Sequence, residues 1–143
     1  MSSNYAVDFT LYFDTVEQCE HFTQMYKESD YVRREVDLKT GMEVDELYEH
    51  EGKDYCQLVG TADDIPGKRA LTYLQAIKGV GRIEVWHDGD SRGELTYIPE
   101  EGEIRYEYLP DEHYPEDGDP AKVEDAFDDF AVTEEIKLEN MWE

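Results

Sequence analysis

The sequence predicts an α+β fold: an antiparallel sheet with two to three helices packed on one face, in the order β-α-βββ-α-βββ-α. Three observations predict it. Apolar and polar residues alternate over several short segments, apolar residues recur at helical spacing in others, and turn formers break the strands into two meanders. The whole chain, 1–143, is expected to form one domain, with a distinct acidic segment at 100–143.

Tyr5 to Phe13 alternates cleanly, with Tyr5, Val7, Phe9, Leu11 and Phe13 on one side and Asp8, Thr10 and Tyr12 on the other. That is a half-buried strand with its odd positions inward. Thr15-x-x-Gln18 matches a capping box, and Val16, Cys19, Phe22 and Tyr26 give the helix that follows an apolar stripe to about Lys27. A three-strand meander is expected next. Tyr31–Leu38 is its first strand, Met42–Tyr48 its second with Met42, Val44, Glu46 and Tyr48 on one side, and 54–60 its third. Pro66 marks a second helix start, Ala70, Leu71, Leu74 and Ile77 form its stripe, and Gly79 and Gly81 end it. Strands at 82–87, 94–98 and 104–109 make a second meander, so helix plus meander occurs twice without residue-level identity. After Pro110 an acidic loop leads to a third helix starting at Asp119-Pro120, with Val123, Phe127, Phe130 and Ala131 as its apolar side. Residues 133–143 fit either a strand or a continuation of that helix. The nearest common architecture is ferredoxin-like or a related sandwich, and strand order does not follow from the sequence.

Charge is the outlier. Asp and Glu total 37 against 13 Lys and Arg, for a net charge of −24. Self-repulsion at that level opposes the compact state, so the acid needs a reason: a basic partner, solubility in high salt, or a solvated tail. Direct nucleic-acid binding is opposed, because phosphate contacts need cations and the only basic clusters are Arg33-Arg34 and Lys68-Arg69. An anionic membrane surface repels the chain for the same reason, and no apolar run approaches the length of a span. Met1-Ser2-Ser3-Asn4-Tyr5 lacks the basic and apolar regions of a secretory signal, so a cytoplasmic protein is expected. Cys19 and Cys56 then read most simply as free buried thiols, with a disulfide as the alternative.

No catalytic signature is present, and an enzyme is not expected. His21, His50, His87 and His113 have no metal-ligand spacing among themselves or with the cysteines. Asp88-Gly89-Asp90-Ser91-Arg92-Gly93 begins like a calcium loop, but its fifth position is Arg92 and its twelfth is Pro99, where a bidentate Glu is needed. It reads as a hairpin turn. Gly67-Lys68-Arg69 lacks the upstream glycine and the hydroxyl residue of a phosphate loop. The sequence therefore assigns no catalytic residue, no metal and no cofactor.

The acidic last third carries the sharp functional reading. Residues 100–143 hold 17 acids against Arg105, Lys122 and Lys137. Like charges such as Glu124/Asp128 and Asp125/Asp129 sit four apart, which destabilises a helix unless something compensates. Aromatic residues are interleaved with the acids, and Tyr beside carboxylates suits docking onto Arg and Lys. The expected partner-binding residues are Glu100, Glu101, Glu103, Glu107, Tyr108, Asp111, Glu112, Tyr114, Glu116, Asp117, Asp119, Glu124, Asp125, Asp128 and Asp129.

In size and charge the chain resembles two groups of small acidic inhibitors. One is the phage-encoded anti-defence proteins, including anti-CRISPR and anti-restriction proteins that act as DNA mimics. The other is the bacterial immunity proteins that neutralise nuclease toxins. Both resemblances imply a non-enzymatic inhibitor whose acidic surface meets the basic, nucleic-acid-binding surface of a protein or ribonucleoprotein complex, with fast and salt-sensitive association. The anti-defence reading is preferred and the immunity protein is the alternative. A halophile-type solvated domain is the third reading. Against it, Glu (21) outnumbers Asp (16), seven Lys remain and large aromatics are plentiful. Oligomeric state and partner identity are left open.

Overall fold

Strand β1, Tyr5–Phe13, forms where the alternation predicts it and lies inside a seven-stranded antiparallel sheet. The computed structural model describes residues 5–143, so the expectation drawn from Met1-Ser2-Ser3-Asn4 lies outside the described residues. The remaining elements are α1 (Val16–Glu28), α2 (Asp30–Thr40), β2 (Met42–Glu49), β3 (Tyr55–Ala62), α3 (Lys68–Gln75), β4 (Val80–Gly89), β5 (Gly93–Ile98), β6 (Glu103–Tyr108), α4 (Pro120–Phe130) and β7 (Val132–Lys137). Single 3-10 turns cover Asp111–His113 and Leu138–Asn140. The sheet order is β2-β3-β1-β4-β5-β6-β7. The α+β class is as expected. The element order and the ferredoxin-like arrangement are not matched, because the expected strand at Tyr31–Leu38 is helix α2 and residues 132–137 add β7 as an outer strand beside β6.

Tyr31–Leu38 is the segment that departs. Val32, Val36 and Leu38 fit alternation, but Val32 and Val36 also fit one turn of helix, and local caps decide between them. Ser29 Oγ accepts from Val32 N at 3.2 Å, and Gly41, at φ 72°, closes the helix. Arg33 Nη1 donates to the Tyr26 and Lys27 carbonyls, each at 2.7 Å, and so satisfies oxygens left open at the end of α1. Val36 is buried and Leu38 is exposed, the reverse of a shared strand side. By contrast the Thr15/Gln18 capping box forms in both directions, at 3.2 Å each.

Register fixes two sides of the sheet. Val7, Phe9 and Leu11 of β1 pair with Gly60, Leu58 and Cys56 of β3 and with His87, Val85 and Ile83 of β4. Those side chains point to one face and meet Cys19, Phe22 and Tyr26 of α1, Val36 of α2 and Ala70, Leu71 and Leu74 of α3. Phe9, Leu11, Leu58, Leu71, Leu74 and Ile83 are fully buried, each worth about 1.5–3 kcal/mol of transfer free energy. Cys19 and Cys56 are free and buried in this layer. In β2 a bulge between Val44 and Glu46 breaks the expected alternation. Beyond it Leu47, opposite Leu58, packs on the core, while Glu46 and Tyr48 face out.

The helices do not share one face. Trp86 alternates with buried Val85 and His87 and therefore points away from α1–α3. Arg92 places its guanidinium 5.0 Å from the Trp86 ring and 4.6 Å from the Phe127 ring of α4. α4 thus covers part of the opposite face, with Val123 and Phe127 buried. Residues 133–143 are neither purely strand nor helix. β7 pairs with β6, then Met141 and Trp142 return to the helix-covered side, where Trp142 Nε1 donates to the Ile65 and Pro66 carbonyls at 3.3 and 3.2 Å. Among the described residues no helix is long and apolar enough to cross a membrane.

Gly60 shows how tightly the β2 edge is held. A side chain there would land on the Glu43 backbone, carbonyl oxygen first. Gly60→Ala is expected to cost about 3 kcal/mol, the upper end for overpacking, because backbone and not a flexible side chain must yield. Urea denaturation should show a lower midpoint with an unchanged slope.

Candidate functional site

The β4–β5 turn and the acidic loop after β6 border a wide, open cleft on the sheet face that carries α4. Its volume is about 660 Å³, and its walls are Ala6, Trp86, Asp88, Gly89, Asp90, Asp111, Tyr114, Pro115, Glu116, Asp117 and Gly118. Local chemistry holds each wall in place. Asp88 Oδ1 accepts from Gly89 N at 2.9 Å, a turn-forming contact of a short acidic side chain. Tyr114 O–H donates to the Gly89 carbonyl and lies 3.4 Å from Asp88 Oδ1, tying the loop to the hairpin. Burial, then the Asp88 charge, pushes the Tyr114 phenol up, so it stays a neutral donor. His113 N and Tyr114 N donate to the Pro110 and Asp111 carbonyls, at 3.0 and 3.1 Å, which bends the loop across the hairpin.

The far side of the loop is anchored to α4. Asp119 is the helix N-cap, accepting from Ala121 N at 2.9 Å, and Pro120 follows at the first turn. Asp117 accepts from Asp119 N at 3.1 Å and pairs with Lys122 at 2.7 Å; the Lys122 contact holds its carboxyl below the usual range. The His113 ring stacks on Phe130 at 4.2 Å. Behind the cleft Arg92 fixes α4 to the sheet. Its side chain is 5% exposed, and Nη2 meets Glu124 at 2.9 Å and Glu94 at 3.3 Å.

These contacts sort the expected binding residues. Asp111, Tyr114, Glu116 and Asp117 come together in the cleft. Glu112 sits exposed beside them in the 3-10 turn. Asp119 is engaged as a cap and Glu124 as the partner of Arg92, while Asp125, Asp128 and Asp129 line the outer surface of α4. Glu103 and Glu107 lie on the same sheet face as Trp86, with Glu107 opposite Glu94. Glu100 and Glu101 occupy the β5–β6 turn, at the other end of those strands. Tyr108 points to the opposite face, stacks on Tyr106 at 5.1 Å and donates to Glu134 at 2.9 Å. Simple alternation explains that separation, since Tyr108 follows Ile104 and Tyr106 inward.

Trp86, Asp88 and Asp90 supply the hairpin side of the cleft, although in the sequence Asp88 and Asp90 read only as part of a hairpin turn and Trp86 only as a strand residue. The signal was present in β4: with Ile83, Val85 and His87 inward, Glu84, Trp86 and Asp88 must face out. A large aromatic between two acids on the polar side of a strand is worth notice. The outward face continues with Asp8, Glu43, Glu46, Glu94 and Glu135 against Arg82, Arg105 and Lys137. Among the described residues no group of three or more His, Cys, Asp or Glu is arranged to hold a metal ion. Comparison with family models, with curated proteins and with solved structures found no match.

Proposed function

We propose that the protein is a non-enzymatic acidic inhibitor acting in the cytoplasm. Its cleft and flanking sheet face engage the basic, nucleic-acid-binding surface of a partner protein or ribonucleoprotein complex. The closest functional class is the phage or mobile-element anti-defence protein that mimics DNA. One observation carries the reading. Carboxylates from two distant parts of the chain, the β4–β5 turn and the 111–118 loop, converge around Trp86 and Tyr114, with Lys122 on Asp117 as the one ion pair made by the cleft carboxylates among the described residues.

The physics of such a surface is specific. Asp88 and Asp117, held by backbone N–H donors, present negative charge at set positions, as backbone phosphates do, and lose little side-chain freedom on binding, while Asp90, Asp111 and Glu116 add charge around them. Tyr and Trp add flat faces for guanidinium and ammonium groups. A net charge of −24 steers a basic partner toward the surface and repels nucleic acid and a second copy of the chain.

The test is capture of partners on the immobilised full chain at low salt, followed by elution with rising salt. The expected result is a basic nucleic-acid-binding protein released as salt increases, and its loss from a chain carrying Asp88→Asn, Asp111→Asn and Glu116→Gln. The three changes leave Asp117 and Asp119 to hold α4. An affinity drop of about a hundredfold is expected, from two or three charge contacts of 1–2 kcal/mol each. Recovery of no basic partner, or of one indifferent to both salt and the three changes, would sink the reading.

A further inference from the structure

Beside the cleft, the sheet's second face carries a recess that, among the described residues, only strand residues line. It measures about 240 Å³ and lies between β1, β4 and β5. Two cross-strand rows build it: Asp8, Trp86 and Glu94 in one, Thr10, Glu84 and Thr96 in the next. Trp86 also walls the acidic cleft, so the two hollows share one residue in their walls.

The three carboxylates are not equivalent. Glu84 accepts from Tyr12 O–H at 2.9 Å and has Arg82 at 3.8 Å, and Glu94 meets Arg92 at 3.3 Å. Asp8 belongs to no ion pair among the described residues. Its Oδ2 takes a 3.4 Å contact from Gln57 Nε2, while Oδ1 is sealed from solvent and accepts no hydrogen bond from the described residues. An acceptor shielded from water and left without a donor is unfavourable, and a turn of the carboxylate that brings it to a cationic donor in the recess removes the deficit.

We propose that this recess is the seat of one arginine side chain of the basic partner, next to the basic residues that enter the cleft. The proposal rests on the reading of the protein as a binder of basic surfaces and names the residue type that one part of that surface selects. Three features favour arginine. The volume falls below the 300–1,000 Å³ usual for a drug-sized ligand and suits a single side chain. The planar guanidinium donates in several directions at once, to the Asp8 carboxylate, whose Oδ1 must turn out of its sealed position into the recess, and to Glu94 or Thr10, while lying along the indole. Lysine, a compact and strongly hydrated point charge, matches the flat wall less well. A second copy of the chain is the wrong occupant, because −24 meets −24.

The experiment titrates the full chain with two probes, the blocked pentapeptides Gly-Arg-Gly-Arg-Gly and Gly-Lys-Gly-Lys-Gly, following the indole N–H signals of Trp86 and Trp142 by NMR. The arginine peptide should shift the Trp86 signal, leave Trp142 in place and bind about fivefold more tightly than the lysine peptide, the ratio expected for about 1 kcal/mol. Asp8→Asn should bring that ratio close to one. Glu139→Gln, an equal charge change in the Leu138–Asn140 turn, should preserve it. Equal affinity for both peptides with salt-sensitive binding overturns the arginine seat and leaves the binding function standing. Absence of binding by either peptide at low salt overturns both. Should Asp8→Asn fail to fold, the Trp86 shift and the peptide ratio in the unaltered chain decide.

Discussion

Arg92→Ala should lower stability by about 3 kcal/mol and release α4 from the sheet. The guanidinium is buried, lies between the Trp86 and Phe127 rings and reaches both Glu94 and Glu124. Breaking a buried ion pair costs 3–5 kcal/mol when the remaining charge stays buried. Here the carboxylates are half exposed and recover water, which reduces that part. Two cation–π contacts and the packing of the arginine stem restore the total to about 3 kcal/mol. The loss should be local first. Amide exchange should show α4 opening ahead of the α1–α3 layer, because Val123 and Phe127 then have little else to hold them. Arg92→Lys, which keeps the charge but loses the fork, should fall between. A cost below about 1 kcal/mol with α4 still protected would refute this account of how the helix is held.

Acidification should cost about 3 kcal/mol through His87 alone. This imidazole is 1% exposed, with Nε2 on Tyr106 O–H at 2.9 Å and Nδ1 3.3 Å from the Ser91 carbonyl. Burial, and then the neighbouring Arg92 charge, push its pKa down from 6.5 to about 4. The sign follows from proton uptake. Above pH 6.5 the ring is neutral in both states and contributes nothing. Between pH 6.5 and about 4 the unfolded chain takes up a proton that the folded chain refuses, so stability falls with pH. Below about 4 both forms are protonated and the loss levels off. Other groups oppose it: burial holds the Asp8 and Asp37 carboxyls up, so these favour the folded state as pH drops. The His87 contribution is therefore read as the difference between the parent and His87→Gln, which can still bond to Tyr106 but does not titrate. Parallel stability curves from pH 7 to 4 would show that His87 is not the responsible group.

Legibility in the sequence followed locality. β1 and the α1 cap were readable because alternation and a capping box involve residues close along the chain. α2 is the exception: its Ser29 cap and Gly41 stop are as local as the α1 capping box, but Val32 and Val36 satisfy both periods and Leu38 adds weight to the strand pattern. The β2 bulge at 44–46 leaves no compositional mark, so Leu47 was not expected inside. At the site, the acidity of the 111–119 loop was plain, but its destination was not. That Asp111 and Glu116 face Asp88 and Asp90 depends on Tyr114 reaching Gly89, a contact 25 residues apart. Tyr108 and the turn acids Glu100 and Glu101 were grouped with the loop by sequence proximity, which a strand reversal does not respect.

The bulge in β2 has a further effect at the level of many molecules. β2 and β7 are the two outer strands, whose unpaired N–H and C=O groups invite another strand to add. On β2 the bulge distorts that edge while Glu43, Asp45 and Glu46 crowd it with charge; on β7, Glu134 and Glu135 do the same. The protein is thereby guarded against edge-to-edge stacking at high concentration, where a flat apolar strand would seed insoluble assemblies.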